Sequence, residues 1–262
     1  MIRKYWLNYK TLDMKNICIQ FLMPYTYFVC SCEWERVHSA RHDIWEHCRA
    51  RETPSSSTKI RLWLIGLLLM WDKGYQDTLY THTMRQFYRE CRISGTIDFI
   101  FGDGSVVLQN CDILVRKGLP NQKNTITAQG RKDPSEPTGF SIQFCNISAD
   151  SDLAPSVNST YIYLGRPWKA YSRTIIMQSY ISNATRPEGW LEWNGTLHLH
   201  TLYYGEYMNN GPGAGLINRV KWPGYHALNQ SSQVNNFTVA QFIEGNLWLP
   251  STGVKYTAGL GV

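Results

Sequence analysis

Four short segments repeat one pattern: a few alternating strand residues, a small residue, and an isoleucine two places later. They are YRECRIS at 88–94, LQNCDIL at 108–114, IQFCNIS at 142–148 and MQSYIS at 177–182. The small positions fall at Cys91, Cys111, Cys145 and Ser179, at intervals of 20, 34 and 34 residues. Short β segments that recur at unequal but long intervals suit a solenoid with loops of varying length, the parallel β-helix, in which each coil adds about 4.8 Å and equivalent positions stack. The pattern therefore predicts an all-β parallel β-helix from about residue 74, with Cys91 and Cys111 on adjacent coils, close enough for a disulfide if the chain is secreted.

With 262 residues, 43% hydrophobic and 13% aromatic, the chain can bury one large core. Helical patterns are scarce after residue 74, and FTVAQFIEG at 237–245 is the best helical stretch. Residues 1–73 show no repeat and form a divergent N-terminal segment. Four of the seven cysteines, Cys18, Cys30, Cys32 and Cys48, lie there without zinc spacing. The apolar stretch Ile17 to Cys32 is broken by Gln20 and Pro24 and makes a poor signal peptide, and LWLIGLLLMW before Asp72 is too short to span a bilayer.

A net charge of +6 points to an acidic partner: nucleic acid, an anionic membrane or a polyanionic carbohydrate. The Lys and Arg residues are scattered, and no nucleic-acid module is visible. Six N-x-S/T sequons, at Asn146, Asn158, Asn183, Asn194, Asn229 and Asn236, exceed the roughly two that composition predicts and favour a secreted protein over mere Asn- and Ser-rich turns.

Asp98 stands inside GTIDFIFG, an apolar, β-branched and aromatic run. A carboxylate buried there costs several kcal/mol unless paired, hydrogen-bonded or protonated. It is either a strand-end aspartate on the wet face or a catalytic acid. Asp77, in GYQDTLY, precedes it by 21 residues, close to one coil, so the two carboxylates come together. Such a pair cannot both ionise cheaply: one is pushed toward the protonated form while the other stays anionic and can attack. Arg166, in YLGRPWKAYSRT, offers a guanidinium fork that can orient a carboxylate. Trp168 is either a sugar platform or a core residue. Gln76 supplies an uncharged donor for a developing oxyanion. Other schemes lack their parts: there is no G-x-S-x-G elbow, H-E-x-x-H or Walker lysine. GPGAG at 211–215 reads as a turn, and His198 and His200, alternating on a strand face, lack a nearby third metal ligand.

GYQDTLY, GTIDFIFG, QKNTITAQGR, YLGRPW, GWLEWNG, TLYYGEY, GPGA, VKWPGY and FIEGNLWLP, in this order, resemble the catalytic domain of plant pectinesterases over about residues 74–260. The resemblance implies a right-handed parallel β-helix whose N-terminal coils are truncated or disrupted here. It implies hydrolysis of the methyl esters of polygalacturonate (pectin) to carboxylate and methanol, without metal or organic cofactor, by a monomer in the cell wall, with a proteinaceous pectinesterase inhibitor as a further partner. No nucleic acid or membrane partner is implied. By motif, Asp98 is the nucleophile, Asp77 the acid and then the base, Gln76 an oxyanion donor, Arg166 the residue that orients Asp98, and Trp168 a contact to the galacturonate ring.

Upstream the chain departs from the family. A motif of the form TAGPxKHQAVAL, whose Gln is the second oxyanion donor, is replaced at 46–58 by EHCRARETPSSST, with Pro54 at the place of that Gln. A one-base shift of a compatible coding sequence turns this stretch into STAGPEKHQAVA. Residues 46–58 are therefore read as a frame-shifted form of the missing motif, and the chain as written is expected to be weakly active or inactive, the alternative being a catalytically impaired pectin-binding relative or a gene-model fragment of a pectinesterase.

Overall fold

The computed structural model describes residues 28–31 and 71–261. Its strands pair in parallel, each with the equivalent strand of the next coil, in three sheets among the described residues. Seven strands form the first: β1 (Phe28–Ser31), β4 (Arg85–Arg89), β7 (Ser105–Gln109), β10 (Gly139–Gln143), β13 (Arg173–Met177), β15 (Tyr203–Tyr207) and β16 (Tyr225–Leu228). The second contains β2 (Trp71–Lys73), β5 (Arg92–Gly95), β8 (Asp112–Val115), β11 (Asn146–Ala149) and β14 (Tyr180–Ile181). β3 (Leu79–Tyr80), β6 (Ile97–Gly102), β9 (Lys123–Gln129) and β12 (Tyr161–Gly165) make the third. This is a parallel β-helix, as the repeat predicts.

The repeat proves to be a corner. Glu90, Asn110, Phe144 and Gln178 join the first sheet to the second, and each is left-handed, with φ of 55°, 57°, 55° and 52°. A left-handed L-residue costs roughly 1–2 kcal/mol, so something must hold each turn closed. The next residue does so. Cys91, Cys111 and Cys145 each direct Sγ to the carbonyl two residues back, at 3.4, 3.5 and 3.3 Å, and Ser179 Oγ does the same at 2.9 Å. Only a small side chain carrying a donor fits inside such a bend. The corners also bond to one another, since the Cys111 amide donates to Cys145 Sγ at 3.4 Å and the Cys145 amide to Ser179 Oγ at 3.0 Å. Register confirms that Cys91 and Cys111 stack, because Arg92 pairs with Asp112. They are thiols, however, and the expected disulfide is not formed. Cys111 Sγ instead faces the carbonyls of Tyr88 and Gln109.

Isoleucines and other apolar side chains of the three sheets fill the solenoid interior, among them Ile93, Ile113, Ile147 and Ile181 at the four repeat positions. The first sheet is buried on its outer face as well, which is why every residue of β7 and β10 is buried. Its cover is the C-terminal segment, which packs Val239, Ile243, Trp248 and Leu249 against Phe87 and Val107. FTVAQFIEG yields only one helical turn, Val239–Phe242, because Glu244 turns left-handed at φ 50° and a new turn starts at Gly245. Two strands, β1 and β2, fall within the segment read as divergent; β1 lies beside β4 and β2 beside β5. Residues 46–58, with Pro54, and the cysteines Cys18, Cys32 and Cys48 lie outside the described residues.

On the outer face, Gln109, Gln143 and Gln178 form a ladder, with Nε2 of each of the first two donating to Oε1 of the next at 3.0 Å. The same amides donate to the carbonyls of Thr257, Gly259 and Leu260, fastening the tail to three coils. Gln143 is fully buried, so its removal strands neighbouring donors and acceptors. Gln143→Leu is expected to lower stability by about 2–4 kcal/mol. Denaturant melts and limited proteolysis of the tail would measure this; an unchanged midpoint with an intact tail would contradict it.

Candidate active site

The third sheet assembles the site from four successive coils. Asp77 lies two residues before β3, Asp98 in β6, Thr125 in β9, and Arg166 follows β12. The Asp98 strand is irregular: its register against β9 shifts between Ile97 and Ile100, and Asp98 is left-handed at φ 50°. A bulge of this kind re-aims one side chain without breaking the sheet. Asp77 is left-handed too, at φ 57°, and its amide donates to the Ile97 carbonyl at 3.1 Å, so equivalent kinks stack on adjacent coils.

Asp98 is 6% exposed and answers the cost of burial by pairing. Arg166 Nε donates to Oδ1 at 2.9 Å and Nη2 to Oδ2 at 2.7 Å, a two-point grip. Thr125 Oγ1 donates to Oδ1 at 2.6 Å and accepts from the Asp98 amide at 3.0 Å. The carboxylate is thus fixed in orientation by three donors. Trp193 lies against the guanidinium, 4.6 Å from Cζ to the ring centre, and covers a face that the carboxylate leaves open.

Asp77 is exposed at the rim. Partial burial raises its carboxyl above the usual range, and the Asp98 charge adds to the rise against the opposing pull of Arg166. The two carboxyl groups therefore differ: Asp98 is gripped by a cation, whereas Asp77 leans toward its protonated form. Gln76 sits exposed beside Asp77. Trp168 packs on Gly130, where an added Cβ would come 2.8 Å from the indole, so only glycine admits the ring. Phe101 meets Trp168 edge-on at 6.3 Å and stacks on Tyr80 at 4.7 Å, so an aromatic row runs across the coils beside the aspartates.

Of the five residues singled out from sequence, Asp98 lies in a strand of the third sheet, Gln76 and Asp77 in the bend before β3, and Arg166 and Trp168 in the segment that follows β12. Sequence reasoning missed Thr125, Trp193, Phe101 and Tyr80. The signal for two of them was present, because Tyr80 and Phe101 share the 21-residue offset of the aspartates and are register partners. Thr125 and Trp193 carried none, since their roles depend on contacts between distant coils. His198 and His200 lie in a run of turns, not on a strand face, and among the described residues no group of metal-binding side chains gathers. GPGAG is a turn, with Gly211 at φ 93°.

Behind the site, Glu206 and Arg219 form an ion pair, each side chain 1% exposed, with Arg219 Nε to Glu206 Oε1 at 2.8 Å. Arg219 also donates to the carbonyls of Pro187 and Gly213, and Trp190 Nε1 donates to Glu206 Oε1 at 3.1 Å. This clamp anchors the segment that continues to Trp193, and Leu191 bonds to the Gly165 carbonyl next to Arg166.

A parallel β-helix with Asp77 and Asp98 on successive coils defines the class, and comparison with known proteins narrows it. The pectinesterase family model matches residues 70–246. A pectinesterase/pectinesterase inhibitor of Prunus persica is 78% identical over 191 residues, covering 72% of this chain and 37% of that protein. A pectin methylesterase from carrot superposes with a TM-score of 0.70 at 51% identity over 71% of this chain and 58% of that one. The pectin methylesterase of Aspergillus niger gives 0.55 at 32% identity, over 68% and 53% of the two chains. This chain belongs to the pectinesterase family. It spans little more than a third of the length of the curated relative from Prunus persica.

Because the folded-state value of Asp77 is raised, the folded protein holds that proton more tightly than the unfolded chain, and the resulting stability is lost as pH rises through the folded value. Asp77→Asn, permanently neutral, escapes that loss. Its melting temperature relative to the parent should therefore climb between acidic and neutral pH; a constant difference would remove Asp77 as a raised group.

Proposed function

We propose that this chain is a carboxylic ester hydrolase that removes methyl groups from methyl-esterified polygalacturonate, releasing methanol. The observation that carries this reading is the buried Asp98 carboxylate, held by both ends of the Arg166 fork, with the raised carboxyl of Asp77 alongside. In the proposed reaction an Asp98 oxygen attacks the ester carbonyl, and the carbonyl oxygen takes up negative charge facing the Gln76 amide. Collapse breaks the bond to methoxide, which leaves as methanol with the Asp77 proton. Asp77, now anionic, takes a proton from water as that water attacks the acyl-Asp98 anhydride. Asp98 departs as carboxylate, and Asp77 is again protonated. Protons move only between carboxyl, methoxide and water, so the scheme calls on no metal or organic cofactor.

Trp168, in the aromatic row, is assigned to the galacturonate ring. The basic net charge suits a substrate whose product is a polyanion. A proteinaceous pectinesterase inhibitor is a further proposed partner, in keeping with the double name of the Prunus persica relative. We place the protein outside the cell, in the wall, as a monomer; the sequon excess supports secretion. Among the described residues no helix is long and apolar enough to cross a membrane.

Methanol release from methylated pectin tests the reading. Asp98→Asn is expected to abolish release while circular dichroism is unchanged; retained turnover would reassign the nucleophile. Since the first step needs Asp77 protonated, the rate should fall as pH rises through its raised value.

Loss of one oxyanion donor typically costs about 10²–10³ in rate. The chain as written, with Pro54 in place of the upstream Gln, should therefore turn over slowly, and a version with 46–73 in the family frame should recover at least that factor. Equal rates from the two would end the claim of impairment, and nucleotide sequence incompatible with the shifted reading would end its frame explanation.

A further inference from the structure

The six sequons are not equivalent in the fold. At Asn146 the side-chain amide is engaged by Asp112 Oδ1 at 3.0 Å, within stacked strands. Thr185 and Thr238, the hydroxyl residues of the Asn183 and Asn236 sequons, are buried. At Asn158 the hydroxyl of Thr160 is bonded to the Ser156 carbonyl at 3.0 Å, closing a turn. Asn229 precedes a helical turn, and its backbone amide, like that of Gln230, donates to Gln233 Oε1. Asn194 differs from these. Asn194, Gly195 and Thr196 are all exposed, Gly195 is left-handed at φ 54°, and nothing lies within 4 Å of where its Cβ would be.

Its surroundings are those of the Asp98–Arg166 pair. Trp193, the preceding residue, lies on the guanidinium that grips Asp98. The loop that follows runs back along the Trp168 side: His198 lies within electrostatic reach of Lys169, whose ammonium is 5.1 Å from the Trp168 ring centre, and Thr201 Oγ1 donates to the Ala170 carbonyl. Leu199 is buried and holds the loop down. Asn194 therefore occupies a fixed, solvent-facing place on the wall that carries both indoles.

We propose that Asn194 is an N-glycosylation site whose glycan stands beside the Asp98–Arg166 pair and narrows access for long polymer. The inference rests on the secreted location proposed above. The donor is an oligosaccharide linked to a lipid pyrophosphate. Asn194 Nδ2 bonds to the anomeric carbon as the bond from that carbon to the pyrophosphate oxygen breaks, and one amide proton leaves with the lipid pyrophosphate. A bulky hydrophilic group is tolerated only where all its atoms can remain in water, which the open space around Gly195 allows.

The test is translation of the full 262-residue chain behind a cleavable leader, with endoplasmic-reticulum microsomes, so that translocation is imposed. Glycans are then released enzymatically in heavy-oxygen water and peptides mapped by mass. Residue 194 is expected as labelled aspartate, and N194Q is expected to lose the mass of one glycan. An unlabelled Asn194 in the protease-protected chain overturns the site. For the placement, glycosylated protein and N194Q are compared on immobilised long pectin and on short methylated oligomers. Stronger retention of N194Q on the polymer alone is expected; equal retention on both overturns the position beside the aspartates. Methanol release is assayed separately, so failure of the esterase reading shows without touching either result.

Discussion

Everything in this molecule depends on in-register stacking of coils whose corners are held by side chains. A parallel strand leaves its hydrogen-bonding groups to the neighbouring coil, so a one-residue slip would carry every inward side chain out of the core. The left-handed residues at 90, 110, 144 and 178 fix where each coil bends. Cys111, Cys145 and Ser179, which follow three of them, bond to their own coil and to the one before, so each of these corners specifies the next. Length between corners is then free to vary, and loops of different size emerge from a constant frame.

The candidate site uses that frame to meet a cost. Burial of Asp98 is unfavourable on its own, yet in-register coils bring Thr125 from one strand and Arg166 from the end of another to the same carboxylate. The guanidinium is itself only partly exposed, and Trp193 shields one side of it. The partners of the ion pair lie 68 residues apart in sequence and so depend on every coil between them. Asp77, at the rim and without such a grip, has its carboxyl raised by partial burial and by the Asp98 charge, and the difference in surroundings between two chemically identical groups is the basis of the proposed division of roles.

A second buried ion pair, Glu206 with Arg219, acts at a distance from the chemistry. Its hydrogen bonds reach Pro187, Trp190 and Gly213, so loops that would otherwise be independent share one anchor. Removing either partner would leave a charge stranded in the core, which typically costs several kcal/mol. The segment anchored in this way delivers Trp193 to Arg166 and then exposes Asn194, so the same clamp serves the Asp98–Arg166 ion pair and the surface beside it.

From its sequence alone the chain determined the solenoid, through the small residues at 91, 111, 145 and 179, and the pairing of Asp77 with Asp98, through a 21-residue offset that matches one coil. These features were legible because stacking turns sequence interval into spatial contact. The tertiary structure decided what intervals cannot encode. The corner cysteines are donors to carbonyls and not a disulfide, since Sγ direction follows the local bend. FTVAQFIEG is mostly cover for the outer sheet, with one helical turn, since apolar residues there answer to Phe87 and Val107. Thr125 and Trp193 join the site because separate coils meet, and their neighbours in sequence announce nothing of it. Periodic order is written locally and repeats; a hydrogen bond across coils exists only once the chain has closed on itself.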